Sequence, residues 1–190
     1  VRSSEASASG TGAGIRIGTN DGAVMASGDR LGVLEFAGAE DGGGTMTVGA
    51  RIDAVTDALW SSGENGANLN FYTTDGDASE TKRMTILAGG NVGIGVSPSY
   101  NLHVAGTGTQ TMSIHSTDDD AIFRIDSDSD EGQLSRLLFE SGGGASKGEI
   151  KYDHDATDSS QLMQFIVGDG NTTAMTIDSN SRISLSNNDS

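Results

Sequence analysis

Three acidic clusters are where residue type and spacing first offer chemistry. Asp126, Asp128 and Asp130 follow the D-x-D-x-D start of a calcium loop, in which alternate carboxylates converge on a hard cation. The rest of that loop is missing: Glu131 stands where the sharp turn needs glycine, and Leu137 where a bidentate acid is needed. Asp118-Asp119-Asp120 and Asp153-His154-Asp155 offer further oxygen donors without a motif, and short acidic turns are ordinarily just solvated. Neither a metal nor a cofactor is therefore expected. The run Gly89 to Gly95 has the glycine content of a phosphate loop, but its order does not fit G-x-G-x-x-G, and no helix is expected after it to supply N-terminal amides. A structural turn explains it better.

Catalytic groupings are equally sparse. The chain has three histidines, His103, His115 and His154, no cysteine nucleophile, no G-x-S-x-G elbow and no H-E-x-x-H helix. A pair of carboxylates could hydrolyse a glycosidic bond, but that test is a distance in the fold, and with so many acids any chosen pair is arbitrary. The expectation is that the chain is not an enzyme. Trp60 lies in a polar loop where its ring could stack on a sugar, although Leu59 beside it favours packing. Asn171-Thr172-Thr173 fits a glycosylation acceptor.

The composition explains why so little chemistry is concentrated anywhere. Leu, Ile, Val and Phe make up 37 of 190 residues, and the formal charge is −16. Such a chain is near the limit at which burial no longer offsets the entropy of ordering. Its apolar residues nevertheless alternate with polar ones in short bounded runs, which is a strand signal. The two facts agree if several copies share one narrow core, because association supplies burial that a single chain lacks. Eleven basic against 27 acidic residues argue against nucleic acid or an anionic membrane as partner. No apolar run approaches the roughly 18 residues of a membrane span, and Val1 to Ser4 lack the apolar region of a signal peptide. The absence of an initial Met suggests a piece of a longer chain. Without cysteine, disulfides and thiolate metal sites are excluded. With 28 glycines but no Gly-X-Y period, collagen is excluded too.

The elements follow a pattern that occurs twice. Arg83-Met84-Thr85-Ile86 leads through a polar turn to Val92-Gly93-Ile94-Gly95, and Ala174-Met175-Thr176-Ile177 leads to Ile183-Ser184-Leu185-Ser186, the methionines lying 91 residues apart. This spacing predicts an all-β module used in tandem. Residues 1–13 read as a linker or frayed end, 14–106 as the first module, 107–110 as a linker and 111–190 as the second module. Strands are expected at Ile15–Ile17, Leu31–Phe36, Met46–Ile52, Leu69–Thr73, Met84–Ile86, Val92–Ile94 and Leu102–Val104. In the second module Ile122–Ile125, Leu137–Glu140, Gly148–Lys151 and Gln161–Ile166 answer them, with Leu137–Glu140 set against Val33–Phe36. Asp169-Gly170 matches Asp75-Gly76. Ile52, Val55 and Leu59 have helical spacing, but their counterparts do not, so a strand through Asp53 followed by a loop or short helical turn is preferred. Period two puts Val92 and Ile94 on one face, with the glycines on an outer face. Ile183 and Leu185 keep the first face. These four are the candidate core between copies.

The stretch Asp29 to Gly38, Gly49-Ala50-Arg51-Ile52, Trp60, Leu69 to Thr74, Arg83 to Ile86, and Gly90-Asn91-Val92-Gly93-Ile94-Gly95 through Pro98 to Leu102-His103-Val104 resembles the repeat of bacteriophage tail fibres and related virion appendages. The resemblance is close over about residues 28–105 and holds in outline for the second module. It implies an elongated, interwoven homotrimeric β-fibre of triple-β-helix or sandwich-like modules, often followed by an intramolecular chaperone that cleaves itself off. Neither chaperone nor host-binding tip is visible before Asn187-Asn188-Asp189-Ser190, so the segment is expected to be shaft. The implied function is a structural part of a virion fibre outside the cell, presenting a tip that meets a host surface glycan or receptor. A tailspike-like glycan depolymerase and a bacterial surface adhesin are the alternatives.

Overall fold

The computed structural model describes residues 14–76, 79–127, 132–142, 145–155, 160–168 and 172–186. The chain divides into two compact units, Val1–Met112 and Ser113–Ser190. Each holds one sheet, and no α-helix occurs among the described residues.

Unit 1 contains β1 (Arg30–Ala39), β2 (Met46–Thr56), β3 (Ala67–Thr74), β4 (Glu80–Ile86), β5 (Val92–Ile94) and β6 (Leu102–Val104), in that spatial order. The first five form an antiparallel meander, and β6 lies parallel to β5. Because side chains alternate across a strand, the register sorts them into rows. Leu34, Ile52, Phe71, Met84, Ile94 and Val104 make one row across all six strands. Beside it runs Gly32, Ala54, Leu69, Ile86, Val92 and Leu102. Between these, on the opposite face, are Val33, Asp53, Asn70, Thr85, Gly93 and His103. One face is therefore apolar over its whole width and the other largely polar.

Unit 2 contains β7 (Gln133–Ser141), β8 (Ala145–His154), β9 (Leu162–Val167), β10 (Thr172–Asp178) and β11 (Ile183–Leu185), each antiparallel to the next. Its apolar row is Leu137, Ile150, Phe165, Met175 and Leu185, and beside it on the same face runs Ser135, Tyr152, Met163, Ile177 and Ile183, polar at its β7 end and apolar towards β11. Irregularities recur in both sheets, between Phe36 and Ala37 and between Phe139 and Glu140 in the first strand of each. A residue is also skipped before the methionine of β4 and of β10. Leu137 thus holds the position of Leu34, and Phe139 that of Phe36. This is one residue along from the match made on sequence, because the register follows the bulge and not the hydrophobic run.

Turn chemistry repeats as well. Gly90 N donates to Leu87 O at 2.8 Å, and Gly90 has φ +88°, the left-handed residue that closes a three-residue hairpin loop. In unit 2 Ser181 N donates to Asp178 O at 2.9 Å, and Ser181 carries φ 62° without being glycine. The Asp178 carboxylate supports that turn by accepting from Asn180 N at 3.0 Å and Arg182 N at 2.9 Å.

Three expectations differ from what is found. Ile15–Ile17 and Ile122–Ile125 form no strand, since alternation alone does not supply a partner. β2 runs on to Thr56 with no helical turn, because Val55 and Thr56 pair with Asn68 and Ala67 and the Thr56 hydroxyl is bonded to the turn carrying Ala26 and Asp29. Gly93 is not on an outer face. It is buried, and a Cβ there would lie 2.8 Å from Pro98 Cδ, because the chain after β5 folds back over it.

Candidate functional site: an open apolar face

The burial of the described side chains is inverted. Ile166 is the one buried large hydrophobic residue among them, whereas Asp53, Thr56, Asn70, Thr85 and Glu149 are all buried. Burying polar groups costs free energy unless each finds a partner, and here they do. Asn70 Nδ2 donates to Asp53 Oδ1 at 3.1 Å, and the Thr85 hydroxyl donates to Asn70 Oδ1 at 2.8 Å. The other Asp53 oxygen faces Arg51 Nε at 3.3 Å and Arg30 Nε at 3.8 Å. Arg51 also pairs with Glu80 and stacks over the Tyr72 ring, 4.0 Å from its centroid. In unit 2 Arg136 grips Glu149 with two donors, Nε to Oε1 at 2.6 Å and an NH2 nitrogen to Oε2 at 2.9 Å. That guanidinium holds the Glu149 carboxyl below its usual range, although burial pushes the other way.

The polar faces are thus largely satisfied from within, with Arg51 Nε and Glu80 Oε1 the buried side-chain atoms left without a hydrogen bond among the described residues, whereas the apolar faces have no such cover. The four candidate core residues all lie in the apolar rows, Val92 and Ile94 on β5, Ile183 and Leu185 on β11. Ile94 is 43% exposed, Ile183 63% and Leu185 73%. Leu34, Phe36, Leu102 and Val104 are exposed on the same face of unit 1, as are Leu137, Phe139 and Val167 in unit 2. Sequence reasoning found four residues of a surface that extends to every strand. The missing signal was register, which brings Leu34, Ile52, Phe71 and Met84 into line from positions up to 50 residues apart.

Other candidates resolve into local roles. The Trp60 indole N–H donates to Gly66 O at 3.0 Å and its backbone N–H to Met25 O at 2.9 Å, so the half-buried ring anchors the loop after β2. His103 meets Tyr100 edge to face, ring centroids 5.4 Å apart, and lies beside Gly93 instead of pointing free into solvent. His154 sits edge to face with Tyr152 at 4.8 Å and its Nε2 is 2.9 Å from Ser135 Oγ. His115 and Asp118 to Asp120 are exposed. Among the described residues no group of three or more His, Cys, Asp or Glu is placed to hold a metal ion. Asp128, Asp130, Glu131, Asp169-Gly170, Asn171, residues 1–13 and Asn187 to Ser190 lie outside the described residues. No helix among the described residues is long and apolar enough to cross a membrane.

No family model matches the chain, and no curated protein sequence matches it. Solved structures that resemble it in fold include two of a tail fibre domain. One is the carboxy-terminal domain of the bacteriophage T5 L-shaped tail fibre with its intramolecular chaperone domain, with a TM-score of 0.70 at 12% identity. That match covers 98% of this chain and 62% of the other, so this chain spans less than two thirds of its length. The other is the same carboxy-terminal domain alone, with a TM-score of 0.69 at 12% identity, covering 98% of this chain and 90% of that one. At such identity the likeness is one of fold: an all-β chain of two sheets, shared with a tail fibre domain.

Proposed function

We propose that this chain is a structural shaft segment of a phage tail fibre or a similar virion fibre, borne outside the cell and assembled as a homotrimer through its apolar sheet faces. The observation that carries the reading is the apolar face of each sheet, exposed in the single chain at Leu34, Phe36, Ile94, Leu102 and Val104 in unit 1 and at Leu137, Phe139, Val167, Ile183 and Leu185 in unit 2. At roughly 25 cal/mol per Å² of apolar area removed from water, closing such a face is the largest stabilisation this chain has available. The fold it shares with a tail fibre domain supports the virion assignment. An excess of acidic over basic residues suits a particle that must stay soluble, and offers nothing to nucleic acid.

The same reading makes the two sheets a duplicated module, supported by their matching bulges, matching turns and the row Leu-Ile-Phe-Met that recurs in each. The mechanism is mechanical, in that the modules separate a virion from an adhesive tip carried elsewhere in the fibre, which would meet a host glycan or receptor. Sedimentation equilibrium tests it: three chains of 19.4 kDa give about 58 kDa. A stable monomer at micromolar concentration overturns the shared-core reading, and release of reducing sugar from host polysaccharide by the purified protein would overturn the purely structural one.

A further inference from the structure

We propose that Ile122–Ile125 of one copy becomes a strand along the free outer edge of β11 in a neighbouring copy, so that the sheet of unit 2 is completed in trans. This rests on the trimeric reading above. The segment Ile122-Phe123-Arg124-Ile125 alternates like a strand, yet it joins no ladder in its own chain, and Ile122 and Phe123 are 72% and 60% exposed. It is tied to its own sheet at β7, where Ser135 Oγ donates to Ile125 O at 3.4 Å and meets Ser127 Oγ at 3.3 Å.

The receiving edge is equally incomplete. β11 bonds to β10 on one side, and no described strand lies on the other, which leaves a row of backbone donors and acceptors that templates an added strand. Unit 1 shows what fills such a place. There β5 takes β6, Leu102-His103-Val104, and that apolar–basic–apolar triplet is the pattern of Phe123-Arg124-Ile125. Seated in the same way, Phe123 and Ile125 prolong the apolar rows that end at Ile183 and Leu185, while Arg124 flanks Ser184 on the polar face.

Geometry chooses the neighbouring copy over the chain's own edge. A segment tied to β7 is four strand spacings from its own β11, roughly 19 Å at 4.8 Å per strand. Three sheets closed in a ring with apolar faces inward set the β7 edge of each beside the β11 edge of the next, at the corner where the segment stands.

The chain has no cysteine, which makes the test clean. One chain carrying Arg124→Cys and a differently tagged chain carrying Ser184→Cys are refolded together and oxidised. The two centre positions of paired strands lie about 5 Å apart at Cα, within disulfide range whichever way the strands run. A disulfide joining the two tags, at least tenfold above that between like-tagged chains, is expected. A trimer by mass that forms no such bond overturns this inference and leaves the trimer standing, whereas a monomeric parent overturns both. A bond formed only within one chain, when both cysteines are placed together, also overturns it. Should either variant fail to fold, Phe123→Cys with Ile183→Cys puts the same question.

Discussion

Gly93→Ala is the sharpest perturbation available, because its cost is read from the backbone alone. Gly93 has no left-handed φ, so alanine suits its conformation and only space matters. The added Cβ would stand 2.8 Å from Pro98 Cδ and 3.2 Å from Pro98 N, and closer still to the Val96 carbonyl oxygen. Comfortable contacts between such atoms are about 3.5–4.0 Å, so the turn must retreat by roughly 1 Å. It is poorly able to do so: the proline ring fixes φ, and the chain beyond it is tied into β6, where His103 pairs with Gly93. Overpacking usually costs about 1–3 kcal/mol, and a rigid neighbour places this case at about 2–3 kcal/mol. At about 2–4 °C per kcal/mol for a chain of this length, the midpoint should fall by roughly 4–12 °C. The control is Gly89→Ala, where no heavy atom lies within 4 Å and φ is again ordinary; it should be neutral or slightly stabilising. Both are followed by circular dichroism on heating at one fixed protein concentration, since association makes the midpoint concentration-dependent. If Gly93→Ala melts together with Gly89→Ala, the fold-back of residues 96–98 over β5 is wrong.

Ser181→Gly should stabilise by about 0.5–1 kcal/mol in urea unfolding, because glycine removes the left-handed penalty that Ser181 bears while Gly90 in unit 1 does not. Glu149 is held ionised by Arg136, so its contribution is present above the unfolded value near 4.5 and is lost as pH falls through the lower folded value. Glu149→Gln should therefore melt lower than the parent at pH 7 and converge on it as the pH falls below the folded value, in a series of melts from neutral into acid. Asn70→Ala breaks the bonds to both Asp53 and Thr85 and should cost about 2–4 kcal/mol by the same denaturation, more than Thr85→Ala, which removes one of them. Val92→Asp places a charge in an apolar row and should abolish assembly; sedimentation of an intact soluble trimer would sink the shared-core idea.

Much of the strand pattern was legible because apolar residues alternate with polar ones over Leu31–Phe36, Leu69–Thr73 and Leu137–Glu140, and each of these is a strand or part of one. Ile122–Ile125 has the same period and is no strand, since pairing depends on what lies alongside, which no local window contains. The apolar face was visible at Val92 and Ile94 for the same reason. Its continuation through Phe71 and Met84 was hidden until register aligned them. Asp53, Asn70 and Thr85 stand on three separate strands, and only the register that aligns them makes a bonded row. The covering of Gly93 has no signature in the alternation of β5, because it comes from Val96 and Pro98 in the turn that follows the strand.

That parallel strand has a consequence for how the module hands the chain on. In a meander each added strand reverses the direction of travel, so an even number of strands sends the chain back against its initial heading. β6 is the sixth strand of its sheet, and it runs with β5 instead of against it. The parity stays odd, and the polypeptide leaves the sheet with the heading it had along β1. A connection between β5 and β6 that flipped β6 would instead send the chain out of this sheet against the heading of β1.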